Sequence, residues 1–188
     1  MDVFDGRISS CAFQSGDRIV VGDWEKSPLG AFTNIMWARP DGTRVLLSPS
    51  ERHADYVSEL YTFEETRIVP ISIKRTKKSV SITTDELEIR YSWGRSISLP
   101  IPRPRWFIST VEYLFARAIF GTRTFGRTRN GRKEWYCVKG IAWINKAEAK
   151  HNGNSLQEMG PFCTESCFGF SDPPKRPSSV RVRSMIAN

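Results

Sequence analysis

Two dipeptides, Asp41-Gly42 and Asn130-Gly131, each stand between short runs of apolar, β-prone residues. Glycine after Asp or Asn accepts the positive φ of a tight hairpin turn, so each dipeptide joins two antiparallel strands, 31–39 with 43–47 and 122–128 with 134–138. Other runs fit the same architecture. Residues 18–21 form a β-rich run stopped by Gly22-Asp23, and Ser27-Pro28-Leu29-Gly30 is a turn. Residues 66–74 place Ile68, Ile71 and Ile73 around Pro70, which fits an edge strand or a bulge. Residues 79–84 and 87–93 alternate apolar with polar across a turn at Thr84-Asp85-Glu86, as half-buried antiparallel strands do. Short strands are expected again at 141–144, 167–170 and 180–183.

Two helices interrupt this meander. Ser48-Pro49-Ser50-Glu51 has the order of a helix start, with Ser48 as N-cap and Glu51 closing a capping box. The stripe Ala54, Val57, Leu60, Tyr61 then predicts a helix over about 49–61. After a proline-rich connector at 100–104, Val111, Leu114, Phe115, Ala118 and Ile119 recur at helical spacing up to Gly121, which predicts a second helix over about 106–120. The polar residues 145–165 are expected to form a long loop. These readings combine into a single α+β domain over residues 1–188: a curved antiparallel β-sheet or partly closed β-barrel, with both helices packed against it.

Composition removes several classes. A chain of 188 residues can bury one core, and no apolar run approaches the roughly 20 residues of a bilayer span. The opening Met1-Asp2-Val3-Phe4-Asp5 lacks the basic and apolar regions of an export signal, so a cytoplasmic protein without a membrane partner is expected. The four cysteines are then free thiols. Cys163 and Cys167 lie four apart, with Cys137 and His151 elsewhere, but a structural zinc site shows two tight pairs, so no metal is assigned. No phosphate-loop, RNA-binding or zinc-finger motif is present, and no cofactor is assigned.

Charge is the most informative feature left. Between Arg103 and Lys133 there are eight cations and one acid, Glu112; of the net +8 of the chain, this stretch carries +7. Seven of the eight are arginines, whose planar forks suit carboxylates and phosphates. The candidate ligand-binding residues are therefore Arg123, Arg127, Arg129 and Arg132, with Trp135 and Tyr136 as an aromatic wall. The plainest alternative makes these arginines the solvated face of a hairpin, and the cluster Lys74-Arg75-Thr76-Lys77-Lys78 is read as a charged turn. Three functions stay open. The leading one is binding of a small anionic or amphipathic ligand through the arginine-rich hairpin. The second is an enzyme of undetermined class with an acid–base site in the same pocket, using Asp23, Glu25, Lys26 or His53. The third is nonspecific nucleic-acid binding, which basic surface alone can supply.

Several segments also carry a resemblance: Gly22-Asp23-Trp24 with Ser27 to Phe32, Arg39 to Leu47, Gly121 to Thr124 with Arg132 to Tyr136, and Phe168 to Ser171 with Arg176-Pro177-Ser178. Together they resemble a family of short bacterial proteins of actinobacterial type with no known activity. That resemblance implies one bacterial domain and brings no cofactor or catalytic residue with it.

Overall fold

The C-terminal strand sits in the middle of the sheet, between the first strand and the longest one. In this computed structural model, which describes residues 1–99, 104–160 and 166–187, the first four strands are β1 (Asp2–Ala12), β2 (Arg18–Lys26), β3 (Phe32–Ala38) and β4 (Arg44–Ser48). Helix α1 (Glu51–Leu60) leads to β5 (Glu65–Ile68), β6 (Ser72–Arg75), β7 (Ser79–Thr83) and β8 (Leu87–Ser98). Helix α2 follows as Arg105–Phe107, a π turn at Ile108–Glu112, and Tyr113–Phe120. The chain ends with β9 (Phe125–Arg127), β10 (Lys133–His151), β11 (Asn154–Ser155) and β12 (Ser178–Ile186). The sheet order is β5-β4-β3-β2-β1-β12-β10-β8-β7-β6, with β9 and β11 added to β10. All pairings are antiparallel except β4 with β5, which the α1 crossover makes parallel.

The sheet curls into an incomplete barrel. Inward residues of β1 to β4 (Cys11, Ile19, Val21, Ile35, Trp37, Val45, Leu47) meet those of β7, β8 and β10 (Val80, Ile82, Ile89, Tyr91, Trp93, Ala142, Ile144) in one buried cluster. The outermost strands β5 and β6 are consecutive in sequence, so the three residues 69–71 bridge the open seam, and Val69 and Ile71 pack on the core there. Pro70, expected at an edge or bulge, falls in that bridge, where no ladder N–H is needed. Two ion pairs cross the gap: Arg75 of β6 grips Asp23 of β2, and Arg67 of β5 reaches Glu86, 2.7 Å away, in the turn before β8. The opposite face of β1 to β4 is covered by α1, whose Ala54, Val57 and Leu60 pack with Phe4, Phe32, Leu46 and Ile186.

Several expectations are corrected. Helix α1 starts at Glu51 with Ser50 as N-cap, and no side chain caps it; the Ser50 hydroxyl instead bonds His53 Nδ1 at 2.6 Å, so the capping box does not form. Among the described side chains of α2, Ile108 and Ala116 are buried, while Val111, Leu114 and Ala118 are exposed. The π turn inserts an i→i+5 step that rotates the stripe expected from regular spacing. The side chains of Phe115 and Ile119, residues 100–103 of the connector, and Cys163 lie outside what is described. The loop expected over 145–165 begins as strand, through residue 151 and again at 154–155, because Ala147 and Ala149 face inward between exposed Lys146, Glu148 and Lys150; residues 161–165 lie outside what is described. Residues 167–170 are not a strand: Cys167 has φ 43°, and Phe168 is buried against the sheet's outer face, its ring 5.6 Å from that of Phe63. Among the described residues, no helix is long and apolar enough to cross a membrane.

The seam gives a test. Arg75→Met leaves the nearly buried Asp23 carboxylate with Thr33 alone, an expected loss of about 1–3 kcal/mol in urea unfolding, and adding Asp23→Asn should recover most of it.

Candidate functional site

Between the sheet's outer face and the helices lies a cavity of about 320 Å³. Its floor is laid in cross-strand rows. The register places Val20, Ser10 and Ser178 side by side, then Gly22, Ile8, Val180 and Ile141, then Trp24, Val182 and Val138. Tyr136 stands a further row along. Ser178 and Ser184 span six residues of strand, which at about 3.4 Å each makes the floor on the order of 20 Å long. A bulge between Val138 and Gly140 shifts the pattern, so that the even residues Tyr136 and Val138 line the cavity before it and Ile141 after it. Val57 and Tyr61 come from α1 and the residue after it, Glu112 and Ala116 from α2. Residues 168–174 strap over one side. That strap is pinned by buried Arg18, which donates to Ser166 Oγ at 2.7 Å and to the Pro173 carbonyl at 3.1 Å and lies 3.5 Å from Asp172.

Most of the lining is hydrocarbon, which makes its polar groups conspicuous. Ser10 and Ser178 are each 1% exposed, and neither hydroxyl has a hydrogen-bond partner among the described residues. They are cross-strand neighbours on the cavity floor. One row along, Gly22 makes room for the Trp24–Asn34 hydrogen bond: a Cβ there would come 2.7 Å from Asn34 Oδ1 and 3.0 Å from Trp24 Nε1. At the other end, Tyr61 and Tyr136 bring their hydroxyls 2.8 Å apart. Tyr61 also donates to Glu134, and Ser184 donates to Glu134 Oε1 at 2.6 Å. Burial pushes the Glu134 carboxyl above the usual carboxylate range despite these bonds, and pushes both phenols up as well. Tyr61 and Tyr136 line the cavity, and the Glu134 carboxyl stands behind them.

The arginine-rich hairpin divides between several places. Arg123 lines the cavity at its edge, its backbone N–H bonded to Ser171 Oγ, and Tyr136 lines it with its phenol. Arg132 faces away, bonding Asp2 at 2.6 Å and the Ala187 carbonyl at 2.6 Å, so its charge ties the two chain ends together. Arg127 bonds the Gly131 carbonyl within its own turn, and Arg129 is exposed. Trp135 packs on Phe125 on the far side of β10, with Arg105 over its ring. Arg127, Arg129, Arg132 and Trp135 are thus not brought to the cavity. The acid–base candidates separate too: Asp23 faces the barrel interior with Arg75, while His53 lies over Phe32 on the other side of the sheet. Among the described residues no group of three His, Cys, Asp or Glu could hold a metal; Cys137 and His151 are fourteen residues apart on one strand, on the order of 45 Å. Burial drives the Cys11 thiol to about 12 and leaves it inert.

Reasoning from sequence missed Ser10, Ser178, Tyr61 and Glu134. Ser10 lies on a strand that shows no clean alternation, and Glu134 sits next to Lys133 in what reads as a solvated hairpin.

The buried carboxyl makes a pH prediction. Because the folded protein holds the Glu134 proton more tightly than the unfolded chain, its stabilising contribution is full at pH below the ordinary glutamate range and is lost as pH rises through the higher folded value. Glu134→Gln removes that loss: the variant should melt higher than the parent at neutral pH, with the difference shrinking toward pH 4 in a thermal-melt series.

No family model matches the chain, and no curated protein matches it. Three solved chains match it. One, described as "Structural Studies of Acetoacetate Decarboxylase", shares its fold, aligning over 98% of this chain and 86% of its own, with a TM-score of 0.52 and 10% identity. An acetoacetate decarboxylase from Legionella pneumophila aligns over 100% of this chain and 87% of its own, with a TM-score of 0.44 and 10% identity. At such identity the likeness is one of fold: a curled sheet with packed helices, similar to that of an acetoacetate decarboxylase.

Proposed function

We propose that the chain binds a small, elongated, amphipathic molecule in the cavity between α1, α2 and the sheet. The observation that carries this reading is the pair of buried hydroxyls, Ser10 and Ser178, unpartnered in the floor of an otherwise apolar space. A buried polar group without a partner costs on the order of 1–3 kcal/mol, and a ligand oxygen between the two serines would remove that cost. The volume lies at the lower end of ordinary ligand sites. Ile8, Val138, Val180 and Val182 would hold the hydrocarbon body, and Arg123 at the rim would attract a carboxylate.

Catalysis in the same cavity is the second reading, favoured by the hydrogen-bonded cluster of Tyr61, Tyr136 and the buried Glu134 carboxyl. A phenol at the cavity wall can donate to an oxygen on which negative charge develops. Among the described residues no lysine lines the cavity, so an oxo-acid ligand would meet hydroxyls and carboxyls rather than an amine with which to form an imine. Acetoacetate, named by the structural neighbours, belongs in the assay for this reason: carbon dioxide release that Tyr136→Phe abolishes would select catalysis over binding.

The binding reading is tested through Trp24, whose indole lines the cavity and reports occupancy by fluorescence. Medium-length straight-chain carboxylates and alcohols should bind saturably, and Val180→Trp should abolish the signal by filling the space. Ser10→Ala with Ser178→Ala should weaken oxygenated ligands about thirtyfold, as expected for two hydrogen bonds of about 1 kcal/mol each, while the empty variant melts no lower than the parent. Unchanged affinity in both variants would sink the proposal.

A further inference from the structure

On the barrel's inner face, at its open end, lies a second and very different cleft. Cross-strand pairing sets four residues in one row: Arg7 of β1 opposite Arg181 of β12, Arg181 opposite Gly140 of β10, and Gly140 opposite Ser98 of β8. Gly140 contributes no side chain, and a hollow of about 110 Å³ lies between the arginines and the β8 end, lined also by Ser96, Ile97 and Ile141. A water occupies about 30 Å³ of liquid, so the hollow has room for a tetrahedral oxyanion.

The electrostatics of the row are unfavourable as they stand. Like charges directly opposite on neighbouring strands repel. Arg7 is half-buried, and both burial and the Arg181 field make its positive charge harder to hold. Its guanidinium is nonetheless fixed in place, lying 4.9 Å over the Trp93 ring and donating to Ser179 Oγ at 3.1 Å. The acids nearby do not relieve the pair. Asp23, in register with Arg7, is gripped by Arg75 and Thr33, and Asp5 is shared by Arg183 and Lys139; Glu25 and Asp23 act on Arg7 only through their fields. Among the described residues no carboxylate pairs with Arg7 or Arg181. Two arginines on facing strand positions, one of them fixed, beside a side-chain-free floor and two serines make the donor set of an oxyanion site.

We infer that the Arg7–Arg181–Gly140–Ser98 row binds a phosphate group, free or as the terminal group of a phosphomonoester, at a site separate from the apolar cavity. The two arginines supply the charge and the forked donors, and Ser96 and Ser98 close the far side with hydroxyls. An anion there removes the repulsion between Arg7 and Arg181, so binding couples to stability.

The test titrates inorganic phosphate, and in a parallel arm glycerol phosphate, against chloride at constant ionic strength, read by thermal melting and by 31P line width. The expected result is a saturable rise in melting temperature with phosphate that chloride does not reproduce, weakened at least tenfold in Arg181→Gln and likewise in Arg7→Gln. Tighter binding in the ester arm assigns the site to organic phosphates, and equal binding assigns it to the free ion. Arg181 is exposed, so its variant should fold even if the Arg7 variant does not, and in phosphate-free buffer it should melt no lower than the parent. Equal responses to phosphate and chloride in the parent, or a phosphate response unchanged in Arg181→Gln, would overturn the inference. So would an Arg181→Gln protein several degrees less stable without phosphate, since that would show Arg181 already paired within the protein.

Discussion

The pairing of β12 between β1 and β10 is the interaction on which the rest of the structure depends. Without it the chain is two separate antiparallel units, β1 to β4 with α1 and β6 to β10, each exposing an unpaired edge and one apolar face. The last strand pairs with nine residues of β1 on one side and nine of β10 on the other, making one sheet of the two units. Only then can Trp37 and Leu47 meet Tyr91 and Ile144. Such an arrangement delays the central contacts until the C-terminus exists, because the pairing of Asp2 with Ile186 closes nearly the whole chain.

The same joint makes both clefts. Alternate residues of β12 point to opposite faces, so Ser178, Val180 and Val182 floor the apolar cavity while Ser179 and Arg181 serve the charged one. One strand of alternating sequence, S-S-V-R-V-R-S, thus separates a hydrocarbon environment from an ionic one across the thickness of a single sheet. The bulge at Val138–Gly140 sits beside it and adjusts both, turning Ile141 into the cavity and leaving Gly140 bare under the arginines.

How much of this could be seen in the sequence follows from which contacts are local. The hairpins at Asp41-Gly42 and Asn130-Gly131, the 79–93 meander, both helices and the left-handed Gly121 cap are encoded within a few residues, and the structure has each of them. The curled α+β architecture follows from their number. What was hidden is nonlocal or irregular. The alternation after residue 145 rests on alanines, too small to register as an apolar stripe. The position of 180–183 at the centre rather than an edge depends on a pairing with residues 5–8. The π turn in α2 moves the buried face without changing the residues that suggested it.

Counting charge along the chain met the same limit. The stretch from Arg103 to Lys133 holds most of the net charge, yet folding disperses it: Arg132 is neutralised by Asp2 from the far end of the chain, Arg127 caps its own turn, and among the described residues only Arg123 of this stretch reaches the cavity rim. Arg7 and Arg181 stand out nowhere in a sequence plot, since they are separated by nearly its whole length and each is surrounded by ordinary strand residues. Register brings them face to face. A local excess of charge measures the field a segment would make if it were alone. The field a ligand meets is set by which charges the fold leaves without a counter-charge, and Arg7 and Arg181, on paired strands far apart in sequence, are two such charges among the described residues.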